Sequence, residues 1–452
     1  MRKNILFIAF MLGLVWNVGG NAQEITGWRG NGTGVFPKAA PSTEWAKDKN
    51  VIWTTPIPKW GNASPVLAGD KIFITAEPGK LICVNAGDGK ILWEKNNEYA
   101  DVFPAEEMQK AKEGAEIRKQ MQGIFNQINR KPHDLGGYKK MAEFSKKIAD
   151  DPANEEKIVL AGKMNKPRTH GVNGYATPTP VVDGKHIYVL TGMGVVACYD
   201  LDGNRKWIRV IGKPRHGWGH SASPIIVDSK LIVHIGDYIS ALNLADGKTL
   251  WQAKGGNNWG TPLPVKIGGK DAVITTHSHI VRLSDGKIIG KAPIQLPWNC
   301  ALEKDGIVYF FDERGAGAAK LPAEMADSVK MESVWKQNKA PRNRYYSSPV
   351  LMNGVLYNVN IKAQLTGLDA EKGDVLFTEQ LKLGRGTHYP SLVGAGDKIL
   401  VSIDNGTTLI FKAGRTFEKV SENKLEGFRT SPTPSGNRLY IRTLKGLFCI
   451  GK

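Results

Sequence analysis

WGNASPVLAGDKIFITAEPGKLICVNAGDGKILWE, residues 60–94, reads as three short apolar strands and the start of a fourth. Ser64-Pro65-Val66-Leu67 opens the first. Lys71-Ile72-Phe73-Ile74-Thr75 forms the second, and Leu81-Ile82-Cys83-Val84-Asn85 the third. Ile91-Leu92-Trp93 begins the fourth. Turns at Gly69-Asp70, Pro78-Gly79 and Gly87-Asp88-Gly89 separate them. Short apolar runs between Gly, Pro and Asp turns are the signature of antiparallel hairpins. One such unit cannot bury both of its faces, so it needs copies of itself.

The copies align on the Pro that opens the first strand: Pro65, Pro180, Pro224, Pro262, Pro349, Pro390 and Pro432, with Ala301 in that place in an eighth. Apart from one large insertion they lie roughly 40 residues apart, the length of a four-stranded propeller blade. The closing element repeats as well. Asp88-Gly89-Lys90 precedes Trp93, Asp202-Gly203-Asn204 precedes Trp207, and Asp246-Gly247-Lys248 precedes Trp251. Asp285-Gly286-Lys287 and Lys372-Gly373-Asp374 are weaker versions, with Gly290 and Phe377 where Trp would stand. Gly supplies the positive φ of the turn, and Trp a large flat surface to dock between neighbouring blades.

The two ends complement each other. Asp48 to Trp53 repeats the closing pattern without the strands that should precede it, while residues 431–452 supply three strands without a fourth. Shared in one blade, they would close the ring and remove its free edges. The fold class predicted is therefore all-β, an eight-bladed β-propeller closed by its N- and C-terminal strands, over residues 23–452. Residues 97–170 break the pattern and predict a helical insertion between blades 1 and 2. Met108, Ala111, Ile117, Met121, Phe125 and Ile128 form an apolar stripe, and residues 138–149 a further helix. The insertion should leave from the face of the outer-to-inner connections and partly cover it, with His170 at its exit. In blade 5, residues 315–333 read as a long excursion in place of a tight turn.

Residues 1–22 read as a signal peptide: basic Arg2-Lys3, an apolar run over 5–15, and Gly20-Asn21-Ala22 at the cleavage site. No Cys stands there to carry a lipid, and no later segment is apolar enough to span a membrane. The expectation is an exported protein, periplasmic or extracellular, and not a lipoprotein. Of the four cysteines, Cys83, Cys198 and Cys449 share one third-strand position in different blades, too far apart for a bridge, and read as small buried core residues; none of the four, Cys300 included, has zinc spacing. The net charge of +18 is scattered through turns and the insertion. It reads first as a solvated surface, with a preference for acidic partners such as anionic polysaccharide or lipid head groups as the alternative, while export and the absence of a binding motif argue against nucleic acid.

The repeat Ala-Leu-Asn-x-x-Asp-Gly-Lys-x-x-Trp, seen best at Ala241-Leu242-Asn243-Leu244-Ala245-Asp246-Gly247-Lys248-Thr249-Leu250-Trp251, resembles that of the pyrroloquinoline-quinone (PQQ)-type β-propellers. The resemblance covers nearly all of the chain except the insertion and implies an eight-bladed ring. That family includes quinoprotein alcohol dehydrogenases, and also non-catalytic members such as the assembly lipoprotein of the outer-membrane β-barrel machine. The dehydrogenases carry a vicinal Cys-Cys pair, which this sequence lacks, and hold calcium with carboxylate-rich oxygens.

The loops entering the first strands contain no Asp or Glu; they offer aromatic, His, Arg and Asn residues instead. In a ring these loops converge on one mouth of the channel, so Trp60, Asn62, Tyr175, Trp218, His220, Trp259, Trp298, Arg344, Tyr346, His388 and Arg429 are the candidate ligand-binding residues. His216 and His220 lack a third ligand, and no metal site is expected. The sequence thus predicts an exported, non-catalytic binding or scaffold protein, in the manner of envelope assembly. It would take a protein partner or a small or anionic polymeric ligand at its mouth, with no cofactor. The alternative is a quinoprotein dehydrogenase with PQQ and calcium.

Overall fold

The computed structural model of the protein describes residues 27–256 and 259–452. The expected signal segment, and Asn258 of one mouth loop, lie outside the described residues. Eight sheets follow one another around a ring, each with a four-stranded antiparallel meander. Blade 1 is Val66–Ala68, Lys71–Ala76, Lys80–Asn85 and Ile91–Asn96, innermost strand first. Blades 2 to 7 open with inner strands at Val181–Val182, Ile225–Val227, Leu263–Ile267, Leu302–Lys304, Val350–Met352 and Val393–Ala395. Blade 8 takes Thr433–Ser435, Arg438–Arg442 and Gly446–Ile450 from the end of the chain and Val51–Pro56 from its beginning. Val51 pairs with Ile450 and Pro56 with Gly446, antiparallel, which is the closure that the incomplete ends predicted.

The repeated Trp is the wedge between blades. Trp53, Trp93, Trp207, Trp251 and Trp335 each donate their indole N–H to a backbone carbonyl of the next blade, of Ala86, Leu201, Leu244, Leu283 and Ala370, at 2.8–3.3 Å. Each indole lies flat on that blade's turn glycine. A Cβ on Gly89, Gly203, Gly247, Gly286 or Gly373 would come within 2.6–2.8 Å of the ring. The turn therefore needs Gly twice over, for its positive φ and for the contact. Cys83, Cys198 and Cys449 stand opposite Trp93, Trp207 and Trp53 on the third strands, buried and free.

Blade 5 departs from the sequence reading. Gly315–Lys320 is its third strand and Glu332–Gln337 its fourth. The run Gly-Ala-Gly-Ala-Ala-Lys lacks strand-forming side chains; at its Gly317 the ring of Phe310 lies close, and a Cβ there would meet it at 2.4 Å. Only residues 321–331 form the excursion, and within it Val329–Lys330 pairs with the outer strand of blade 4. Blade 7 also differs: Leu392, not Pro390, occupies the place that Pro65 holds in blade 1, since Val393 pairs with Leu400 as Val66 pairs with Phe73.

The insertion holds four helices: α1 Tyr99–Val102, α2 Ala105–Arg130, α3 Leu135–Ala149 and α4 Ala153–Met164. Tyr99, Ala111, Leu160 and Met164 bury against Met193 and Val195, with Ile208 and Val210 of blade 2's outer strand beside them. The Tyr99 hydroxyl donates to the Met193 carbonyl at 2.8 Å. Met193 lies in the turn between the second and third strands of blade 2, a turn that shares a face with the outer-to-inner connections. The insertion is thus on the mouth face, leaning outward along blade 2 rather than over the channel.

The N-terminal segment fills the channel. Val35–Phe36 adds a parallel strand to the inner edge of blade 7. A Cβ on Gly27 would meet the Val181 side chain at 3.1 Å, across the ring in blade 2. Arg29 is buried between them, donating to the carbonyl oxygens of Pro349 and Leu392. No helix among the described residues is long and apolar enough to cross a membrane.

Candidate functional site

The residue that precedes each inner strand's opening position faces the axis. These residues are Ser64, Thr179, Ser223, Thr261, Cys300, Ser348, Ser391 and Ser431, one per blade. They form a closed ring of hydrogen bonds. Ser64 N–H donates to Thr179 Oγ1, Thr179 to Ser223 Oγ, Ser223 to Thr261 Oγ1, and Thr261 to Cys300 Sγ. Cys300 N–H donates to Ser348 Oγ, Ser348 to Ser391 Oγ, Ser391 to Ser431 Oγ, and Ser431 back to Ser64 Oγ. All eight bonds measure 3.0–3.1 Å.

Two residues upstream lies a second tier: Asn62, Thr177, Ser221, Trp259, Trp298, Tyr346, Tyr389 and Arg429. Extended chain alternates its side chains with a period of two, so both tiers point inward. Together they line one cavity of about 420 Å³ at the mouth face, widened by Trp218, His216 and Arg344 and floored by Trp28 of the N-terminal segment. Val172 and Asn173, at the exit of the insertion, complete the wall, and none of the four helices lines it.

Seven of the predicted site residues meet in this cavity: Asn62, Trp218, Trp259, Trp298, Arg344, Tyr346 and Arg429. The other four do not line it. His220 and His388 sit one position out of phase with the second tier. They turn into their blades, 3% and 1% exposed, bonded to the carbonyls of Ala222 and Ser402. Burial pushes the His220 imidazole down to about 3, so it is neutral. Tyr175 packs with the insertion's helices and donates to the Pro167 carbonyl at 2.8 Å. Trp60 lies behind Arg429, whose guanidinium stands 5.7 Å over its ring. The expected exit residue His170 stacks on Trp218 at 3.8 Å.

The sequence reading missed Trp28, Tyr389 and the ring. Tyr389 follows from the period-two alternation once blade 7 is read from Ser391. Trp28 has no signal in the repeats, because it is threaded in from outside them.

The walls are aromatic, and the charged groups that line them are the guanidinium groups of Arg344 and Arg429. Tyr346 stacks on Tyr389 at 5.4 Å and meets Trp298 edge-on at 5.8 Å, and Arg344 lies 5.2 Å over Trp298. Asn62 donates to the carbonyls of Val172 and Asn173, at 2.8 and 3.1 Å, and its own buried Oδ1 has no partner. Arg429 likewise has a buried Nε without an acceptor. No Asp or Glu lines the cavity among the described residues.

A family model described as outer membrane protein assembly factor BamB matches residues 43–116, 160–262 and 236–450. The chain belongs to this family. No curated protein matches the sequence significantly. Among solved structures, BamB from Moraxella catarrhalis is similar at 12% identity, covering 88% of this chain and 99% of its own, with a TM-score of 0.55. A europium-containing methanol dehydrogenase is similar at 11% identity, covering 95% of this chain and 99% of its own, with a TM-score of 0.57. The quinohemoprotein alcohol dehydrogenase from Comamonas testosteroni is similar at 10% identity, 96% and 81% coverage, and a TM-score of 0.56. At such identities these likenesses establish the PQQ-like propeller fold, which hosts both assembly factors and dehydrogenases, and not an activity.

The cofactor of the dehydrogenases can be weighed against the donor set. A hard cation such as calcium takes several oxygen ligands, with carboxylates among them. Among the described residues no group of three or more His, Cys, Asp or Glu side chains could hold a metal ion. The mouth offers hydroxyls, indoles, phenols, guanidinium groups, one imidazole and the carboxamides of Asn62 and Asn173, but no carboxylate among its described lining residues, and a calcium–quinone pair does not fit them.

Proposed function

We propose that this protein is an exported, non-catalytic binding propeller with a scaffold role in the cell envelope, and that it takes its ligand in the plugged mouth of the channel. One observation carries the reading. The cavity is walled by aromatic rings, rimmed by Arg344 and Arg429, and free of carboxylates among its described lining residues. Concave sites of this kind, apolar with a few convergent polar groups, are built to hold ligands. Catalysis needs a base or a nucleophile beside an activating partner, and no carboxylate base stands among the described lining residues. Its one imidazole, His216, meets Trp259 edge-on at 5.0 Å. Family membership supports the scaffold role. The aromatic, cationic lining favours an anionic ligand, or an acidic and aromatic segment of a protein partner.

The test is intrinsic fluorescence. Trp28, Trp218, Trp259 and Trp298 all line the cavity, so occupancy should quench or shift their emission. A panel of anionic aromatic compounds and acidic peptides should give saturable changes, lost in a Trp259→Ala, Tyr346→Ala variant that still folds. A change that survives in that variant would place binding elsewhere and sink the reading.

A further inference from the structure

We infer that the floor of the mouth is an oxyanion seat: the ligand presents a carboxylate or phosphate oxygen on the channel axis, to the hydroxyl ring, above the buried guanidinium of Arg29. This deepens the proposed mouth-binding function and rests on it.

The first observation is the protons of the ring. Each ring oxygen already accepts a backbone N–H from the neighbouring blade, so its own O–H is left to donate. Thr261 and Ser348 lie within reach of the Cys300 sulfur. The hydroxyl protons of Ser64, Thr179, Ser223, Ser391 and Ser431 have no acceptor among the described residues, and all five side chains line the cavity. Hydroxyls at the inner edges of blades arranged in a ring converge on its axis, and an axial oxygen bearing negative charge can accept from several at once. Hydrogen bonds to charged groups are shorter and stronger than neutral ones.

The second observation is independent. Arg29 is 4% exposed and sits beside Pro349 and Leu392, the residues immediately after Ser348 and Ser391. Its Nη2 donates to backbone carbonyls, while Nε and Nη1 are buried without partners. No carboxylate forms an ion pair with it among the described residues. Burial pushes it down to about 10, so it stays charged at neutral pH. A buried cation without a counter-ion is costly, and an anion on the ring would supply the missing charge. Arg344 and Arg429 line the cavity, and Arg29 stands outside its lining with its guanidinium 5.2 Å over the ring of Trp28, the floor residue, so all three cations give one sign of potential. The aromatic walls between floor and rim accommodate the body of the ligand.

The experiment titrates the purified protein with phenyl phosphate, benzoate, inorganic phosphate and neutral phenol, read by tryptophan emission. The phosphate and carboxylate probes separate the two sources of oxyanion. At least one aryl anion should bind about tenfold or more tightly than phenol. Ser223→Cys with Ser431→Cys keeps the ring closed, because Cys300 already accepts an N–H there, and removes two strong donors. That variant should erase the preference, bringing the ratio of anion to phenol affinity to near one. Arg29→Gln should do the same, with thermal melting of each variant confirming the fold.

Equal affinity of phenol and both aryl anions would overturn the seat and leave the mouth-binding reading standing. Discrimination that survives the Cys variant but is lost in Arg344→Gln, Arg429→Gln would move the anion to the rim and overturn it too. No binding of any probe would overturn both readings.

Discussion

Gly247→Ala combined with Trp207→Ala isolates the contact that locks blade to blade. Gly247 has φ of 69°, a conformation that costs a residue with a Cβ about 1–2 kcal/mol. A Cβ there would also lie 2.6 Å from Cε3 and 2.7 Å from Cζ3 of Trp207, and overpacking of that kind costs about 1–3 kcal/mol. Gly247→Ala alone should therefore destabilise by roughly 2–5 kcal/mol. Trp207 is 8% exposed and donates to the Leu244 carbonyl at 2.8 Å. Its truncation to Ala should cost about 3–5 kcal/mol. In the double variant the indole is gone and the clash with it, while the backbone strain remains. The two effects should thus fall short of their sum by about 1–3 kcal/mol, the size of the clash. Guanidinium denaturation followed by far-UV circular dichroism measures all four proteins. Additivity to within about 0.5 kcal/mol would show that the glycine answers to its φ alone and that the indole does not dock on it.

Further outcomes follow from the same coordinates. Removing residues 27–58 takes away the outer strand of blade 8 and the plug of the channel; the truncated chain should aggregate on size-exclusion chromatography, and a monodisperse, equally heat-stable product would refute closure. Replacing residues 99–164 by a short linker should lower the melting temperature, because Met193 and Val195 lose their cover, yet leave mouth binding intact; loss of binding would restore the insertion as a lid. His220 and His234 are buried and held down to about 3 and about 4 by desolvation. Below the ordinary imidazole range the unfolded chain binds protons that the folded chain refuses, so stability is fully present above about pH 6.5 and is lost as pH falls toward 4, by up to about 1.4 kcal/mol per pH unit for each group. His234→Asn should flatten that slope in denaturant midpoints measured from pH 7 to 4.5, and an unchanged slope would contradict the assignment.

Much of the ring was legible because its determinants are local. A Gly that must take positive φ, an Asp whose carboxylate caps the turn, as Asp246 accepts from Lys248 N–H at 3.0 Å, and a Trp at fixed distance beyond it all repeat within one blade. Closure was legible because strands can be counted. What escaped is set by neighbours distant in sequence. Gly315–Lys320 is held as a strand by pairing with the strands on both sides of it, and its Gly317 leaves room for the ring of Phe310. Pro390 imitates the anchor of other blades, and only pairing shows that Ser391 is in register.

The candidate site divides the same way. The aromatic and cationic character of the mouth loops could be read directly. Which residues face inward depends on a phase that His220 and His388 miss by one position. The hydroxyl ring exists only as a relation between eight blades, and Arg29 and Trp28 reach the axis on a segment that belongs to no blade.

The central claim is that this mouth is a binding cavity and not a calcium–quinone centre. Its most direct test mixes the purified protein with PQQ and calcium, and follows the quinone absorbance and dye-linked oxidation of alcohols. We expect no calcium-dependent oxidation, from the wild-type protein or from an Arg344→Gln, Arg429→Gln variant. Calcium-dependent oxidation by the wild type, abolished by those mouth substitutions, would contradict the account.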